Sequence, residues 1–313
     1  MVLTISEPGD ATAETLPTRA DTPLRYRRYH LNVWRMAERA PIHLGSGATA
    51  DREPVLLLHP FLLSQSVWKY VAPQLAERYE VFAPTMSGHN GGTPGPVLLD
   101  VASLADDVER RLDELGWGTA HIVGNSLGGW VAFELDRRGR ARTLTGIAPA
   151  GGWARFTPVK YEIIAKFMAA MPIVVATALL RQRVLQLPFA RQITFPAVSA
   201  TADGLNDGDC RDLVDDVAHC SAYYKLMVRV LTTPGLSEIA QSRTPTQLVI
   251  CGKDRVLPAP RFTRHFTDSL APGSVITRLE GVGHVPMFEA PARITEVISE
   301  FIERHVDKAR ATG

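Results

Sequence analysis

Cysteine is scarce in this 313-residue chain, with Cys210, Cys220 and Cys251 the only three. The set is odd and contains no CxxC pair, which argues against a disulfide framework or a zinc site and fits a reducing, cytoplasmic setting. Neither sign of charge predominates, because 34 Lys and Arg meet 33 Asp and Glu for a net charge of +1. No broad field is therefore expected to attract nucleic acid or an anionic membrane, and a charged substrate has to be recognised locally. A long apolar run is missing too. Phe167 to Leu180 is the longest uncharged apolar stretch, Pro172 interrupts it, and it falls short of the roughly 20 residues that span a bilayer. We expect it to form a buried or pocket-lining helix rather than a membrane helix. The opening residues, MVLTISEPGDATAE, lack the basic start and apolar core of a secretory signal. The histidines fall in no ligand pattern, so no metal and no organic cofactor is implied.

What is present is ordinary globular material, with 45% hydrophobic and 21% charged residues, enough to bury a sizeable core. Residues 1–22 are rich in Thr, Ala, Glu, Asp and Pro without apolar periodicity and are expected to be a disordered tail. From Leu24, an imperfect alternation through Tyr26, Tyr29, Leu31 and Val33 predicts an N-terminal hairpin that ends near Gly45 and Gly47. The run Val55 to Leu58 reads as a strand buried on both faces. Helices near 66–78, 101–115 and 127–138 then alternate with strands at 80–84, 121–123 and 144–148, a rhythm that implies right-handed crossovers and a mostly parallel sheet. Between 151 and 243 the rhythm breaks into helix-like segments and Pro-containing loops. Strands at 247–251 and 275–279 and a helix at 292–305 restore it. The expected organisation is a core of residues 23–150 and 244–313 with a helical cap, 151–243, inserted between two core strands.

The strongest local signal is Gly124-Asn125-Ser126-Leu127-Gly128-Gly129, directly after a strand and opening a helix. Gly-x-Ser-x-Gly in that context is a nucleophile elbow, in which a sharp turn lifts the serine hydroxyl above the sheet at a helix N-terminus. Side chains at Gly124 and Gly128 would collide with neighbouring backbone there. Cys251-Gly252-Lys253-Asp254 places an acid just past one buried strand, and Gly281-Val282-Gly283-His284 places a histidine just past the next. Parallel strands bring their C-terminal ends to one edge, so Ser126, Asp254 and His284 should converge as nucleophile, acid and base. After the strand at 55–58, His59-Pro60-Phe61 offers the oxyanion loop. Proline has no N–H, so Phe61 is the expected donor, paired with Leu127. His59 and His89 are read as structural.

On these motifs the chain resembles the α/β-hydrolase family, in its branch of capped bacterial esterases, lactonases, cofactor-free haloperoxidases and carbon–carbon hydrolases. The resemblance covers about residues 24–305 and implies a mostly parallel eight-stranded sheet, helices on both faces, and a helical cap after strand 6. It departs from the family at Pro60, where relatives usually carry glycine. Related dehalogenases and epoxide hydrolases use aspartate at the elbow, and Ser126 argues against both. The implied activity is cleavage of an ester, thioester or lactone through an acyl-enzyme, the chemistry of a serine esterase. Two other readings stand behind it. The first is carbon–carbon hydrolysis of ring-cleavage diketones, ranked second because Phe61-Leu62-Leu63 replaces a glycine-rich loop and Val285 a tryptophan. The second, from a different class, is a slow-turnover ligand-binding receptor. Asn125, Val285, Phe167 and Met168 are the candidate substrate contacts, for a small molecule with an apolar acyl or aromatic group.

Overall fold

The computed structural model describes residues 38–47, 52–153, 156–188, 191–192, 195–201, 204–236 and 239–312. The expected tail and the first half of the expected hairpin lie outside them. Among the described residues the strands are β1 (Ile42–Leu44), β2 (Pro54–Leu58), β3 (Glu80–Ala83), β4 (Ala120–Asn125), β5 (Ala141–Ile147), β6 (Thr246–Cys251) and β7 (Val275–Leu279). They form one sheet in the order β1-β3-β2-β4-β5-β6-β7, with β1 antiparallel and every other pairing parallel. Seven strands lie among the described residues, where eight were expected with part of the N-terminal hairpin outside them, and the helical insertion follows β5, the fifth described strand.

Every residue of β2, β4 and β6 is buried, as expected of strands covered on both faces. Alternate side chains enter two separate cores: Leu56, Leu58, Ile122 and Leu248 on one face, and Val55, Leu57, Val123 and Val249 on the other. The longer helices are α1 (Val101–Glu114), α2 (Leu127–Arg137), α3 (Pro158–Leu180), α4 (Asp207–Ala218), α5 (Ala222–Thr232) and α6 (Pro291–Thr312). Helix α1 starts where the Asp100 carboxylate accepts from Ser103 N–H and the Ser103 hydroxyl receives Asp100 N–H, a reciprocal cap. Its buried Val101, Leu104, Ala105, Val108 and Leu112 keep helical spacing against the first core. Helix α6 sets Ile294, Ile298 and Ile302 into the second. The helix expected near 66–78 is instead two short turns, Gln65–Trp68 and Ala72–Leu75.

Helix α3 corrects one expectation, since it runs straight through Pro172. Proline removes the N–H that would bond the carbonyl of Met168, but Met168 and Pro172 both lie on the exposed side, where solvent can satisfy that carbonyl. By length and composition alone Pro158–Gln186 is long and apolar enough to cross a membrane. In this structure one side of α3 lines an internal chamber, while Tyr161, Met168, Val175 and Leu179 are exposed on the other.

The insertion is tied to the core through Asp216 of α4, which is wholly buried. Its carboxylate accepts from Ser64 Oγ at 2.6 Å, Ser66 Oγ at 3.0 Å and Asn90 Nδ2 at 3.0 Å, with Arg39 Nη1 at 3.8 Å. Burial outweighs these donors and pushes the Asp216 pKa up to about 6. Because the folded value exceeds the unfolded one, stability from this group is complete below the ordinary value near 3.8 and is lost as pH rises through about 6. Urea unfolding from pH 4 to pH 6.5 should therefore show the parent protein losing about 2 kcal/mol relative to Asp216→Asn. Parallel pH profiles for the two proteins would refute this account of the tie.

Candidate active site

Ser126 sits between β4 and α2 at φ 53° and ψ −114°, a backbone conformation that side-chain-bearing residues rarely adopt. The turn is held by Ser126 N–H donating to Ile147 O, while Ser126 O accepts from Trp130 N–H and Ala150 N–H. Glycine is required on both sides. A Cβ on Gly124 would lie 2.2 Å from Gly128 O, and one on Gly128 would lie 2.3 Å from Leu58 O and 2.7 Å from His59 O. The same close approach brings the loop that begins at His59 against the start of α2.

In that loop His59 is fully buried, its Nδ1–H donating to Pro60 O at 2.8 Å and its Nε2 accepting Met86 N–H at 2.9 Å. Burial, and then the neighbouring His89, hold its pKa well below the usual imidazole value. A neutral ring spent on two backbone groups is a brace, as the sequence reading expects. Leu62 follows at φ 70°, which turns the chain past Phe61. Neither Phe61 N–H nor Leu127 N–H has a hydrogen-bond partner among the described residues. Phe61 and Leu127 line the same chamber as Ser126.

Asp254 and His284 meet as the sequence order implies, with His284 Nδ1 at 2.7 Å from Asp254 Oδ2. The other carboxylate oxygen accepts Val256 N–H and Leu257 N–H, each at 2.8 Å. Burial opposes ionisation of Asp254, but the His284 charge and hydrogen bond and the two N–H donors outweigh it and hold its pKa below the ordinary value. An ionised Asp254 is an acceptor for His284 Nδ1–H and orients the ring. Ser126 and His284 line one chamber, and the Ser126 hydroxyl is open to it without a hydrogen bond among the described residues. Contacts of this kind are often loose before substrate binds.

Two further contacts set the base. The Asn125 amide donates to Ile147 O at 2.9 Å and to the backbone carbonyl of His284 at 3.0 Å. Glu289 accepts Gly283 N–H at 2.6 Å on one oxygen and Ser199 Oγ at 2.5 Å on the other, and Val285 N–H donates to Val198 O. The turn that carries the base is thereby fastened both to the elbow and to the insertion.

Residues 55–297 match the alpha/beta hydrolase family. This chain is a member of the α/β-hydrolase family. It is 58% identical, over 214 residues that make up 68% of this chain and 100% of the relative, to Epoxide hydrolase EphH of Mycobacterium tuberculosis (strain ATCC 25618 / H37Rv). Among solved structures it is similar to a thermophilic esterase from Thermogutta terrifontis, with a TM-score of 0.65 and 20% identity over 85% of this chain and 99% of that one. The epoxide hydrolase CorEH is similar at a TM-score of 0.62 and 22% identity, over 84% of this chain and 93% of that one. These two likenesses show the fold alone.

In this α/β-hydrolase, Phe167 and Val285 line the chamber, as predicted for substrate contacts. Asn125 and Met168 do not line it. Asn125 is fully buried with its amide N–H groups spent on two carbonyls, and Met168 points outward at 48% exposure. Sequence reasoning also missed Trp130, Trp153, Thr177 and Val230 of the hydrolase chamber wall. Chain periodicity separates buried from exposed positions but not a core from a cavity wall, so nothing marked them in advance. Gly128→Ala should lower stability by at least about 2 kcal/mol, because the clash is with backbone that cannot turn aside. A variant with an unaltered urea midpoint would show that the approach of α2 to β2 is looser than described.

Proposed function

We propose that this α/β-hydrolase cleaves carboxylic esters, or the related thioesters and lactones, through an acyl-enzyme on Ser126. The observation that carries the reading is the strained Ser126 turn beside two unpartnered N–H groups, on the same chamber wall as a histidine already held by an ionised aspartate. His284 Nε2 takes the Ser126 proton as Oγ attacks the carbonyl carbon. Phe61 N–H and Leu127 N–H stabilise the oxyanion, and Asp254 stabilises the imidazolium. The proton passes to the leaving oxygen as the carbon–oxygen bond breaks. Water, activated by the same histidine, then frees the acid and restores the serine.

Epoxide hydrolysis is the second reading, favoured by the name of the 58%-identical relative. The residue at the elbow weighs against it. A carboxylate that opens an epoxide forms an ester that water can cleave, whereas a serine would form an ether that His284 and Asp254 cannot hydrolyse. Epoxide turnover here would require His284 to activate water directly, with Ser126 dispensable.

The two readings separate on Ser126→Ala. Ester hydrolysis should fall by about 10⁶-fold in kcat, down to what the oxyanion donors and binding retain, and Asp254→Asn should cost about 10⁴-fold in kcat. Assay of both variants against short-chain esters and a styrene-type epoxide decides the matter. Epoxide turnover that survives Ser126→Ala, with no ester turnover by the parent protein, would reverse the order of the readings.

A further inference from the structure

The chamber over Ser126 has two arms that meet at the nucleophile. Ser126, Phe61, Phe167 and Val256 belong to both. The narrow arm, about 60 Å³, is walled by Leu127, Trp130, Trp153, Ile163, Leu226 and Val230 and reaches the Asp100–Arg229 ion pair, which is closed on itself at 2.7 Å. The wide arm, about 300 Å³, is walled by Ile173, Val174, Phe195, Leu213 and Val214 and contains His284. The base is absent from the wall of the narrow arm, while the oxyanion donor Leu127 is absent from that of the wide one.

Reaction chemistry makes this asymmetry informative. In an acyl transfer the proton removed from the serine must be handed to the leaving oxygen by the same imidazole, so the leaving group has to stand on the histidine side of the carbonyl carbon. The acyl chain is then directed away from the histidine. The wide arm holds one further feature. Thr177 of α3 is 1% exposed, lines that arm, and its hydroxyl has no hydrogen-bond partner among the described residues. A buried hydroxyl left unpaired is costly unless a ligand completes it.

On the ester-hydrolase reading above, we propose that the wide arm receives the alcohol half of the substrate and the narrow arm the acyl half. The substrate class is thus an ester of a short acyl group, up to about four carbons, with a bulky apolar alcohol. A hydroxyl or carbonyl oxygen on that alcohol pairs with Thr177. Attack by Ser126 Oγ forms the serine–acyl bond and breaks the bond to the alkoxy oxygen, which leaves as the alcohol with the proton carried by His284. Water then releases the short acid through the narrow arm's open end at Ser126.

The test uses an isomeric pair with the bulk exchanged across the ester: 2-(1-naphthyl)ethyl acetate and methyl 3-(1-naphthyl)propanoate. The full-length protein should favour the acetate by at least about 30-fold in kcat/KM, and a ratio near one or inverted overturns the assignment. Val230→Ala should shift preference in a 4-nitrophenyl ester series toward longer acyl chains. Ile173→Ala should instead change selection among alcohols, and exchange of these two effects overturns the assignment as well. Thr177→Val should cut by about 10-fold the preference for a naphthylethyl acetate bearing a ring hydroxyl over the plain ester, and an unchanged preference removes Thr177 from recognition. If neither isomer is turned over while 4-nitrophenyl acetate acylates Ser126, the arm assignment alone fails. If nothing acylates Ser126, the ester-hydrolase reading fails with it.

Discussion

The turn at Ser126 depends on the absence of two side chains. Gly124 and Gly128 bring the end of β4, the first turn of α2 and the end of β2 so close that a single methyl group on either would lie within 2.4 Å of a carbonyl oxygen. That approach does two things at once. It holds Ser126 in a positive-φ conformation, and it brings the loop after β2 against the start of α2, where Phe61 and Leu127 line one chamber with Ser126. The strain is balanced by the hydrogen bonds on the Ser126 peptide groups and by the wholly buried strands on either side.

The parallel sheet supplies the rest of the geometry. Because β4, β6 and β7 all run the same way, the residues just past their C-terminal ends lie along one edge. Asp254 and His284, 30 positions apart, meet there at 2.7 Å. The insertion does more than cover this edge. Through Val198, Ser199 and Glu289 it braces the turn carrying His284, through Asp216 it grips the loop after Phe61, and through α3 and α5 it walls the chamber. A change in the insertion therefore reaches His284 and the Phe61 loop as well as the chamber wall.

Much of this was legible in the chain itself. Ser126, Asp254 and His284, the expected nucleophile, acid and base, follow strands whose continuous apolar runs are unmistakable, and the glycines at 124 and 128 announce the turn. Local signals of that kind survive folding because neighbouring residues create them. Asn125 carried no such signal: whether its amide faces a substrate or the carbonyl of His284 depends on a turn 159 positions away. Met168 and Phe167 are adjacent and both apolar, yet one is exposed and the other walls the chamber, a difference set by the rotation of α3 against α4 and α5. Pro172 misled because its disruptive effect depends on whether the freed carbonyl meets solvent. The unpaired hydroxyl of Thr177 and the two arms exist only once distant segments are assembled.

The central claim is that Ser126 becomes covalently acylated during turnover. Intact-mass and peptide mass spectrometry of protein quenched with acid during hydrolysis of a slowly deacylated ester tests it directly. The account predicts a stoichiometric acyl adduct on the peptide containing Ser126, absent from Ser126→Ala. Full hydrolysis with no adduct at Ser126, retained by Ser126→Ala, would contradict it.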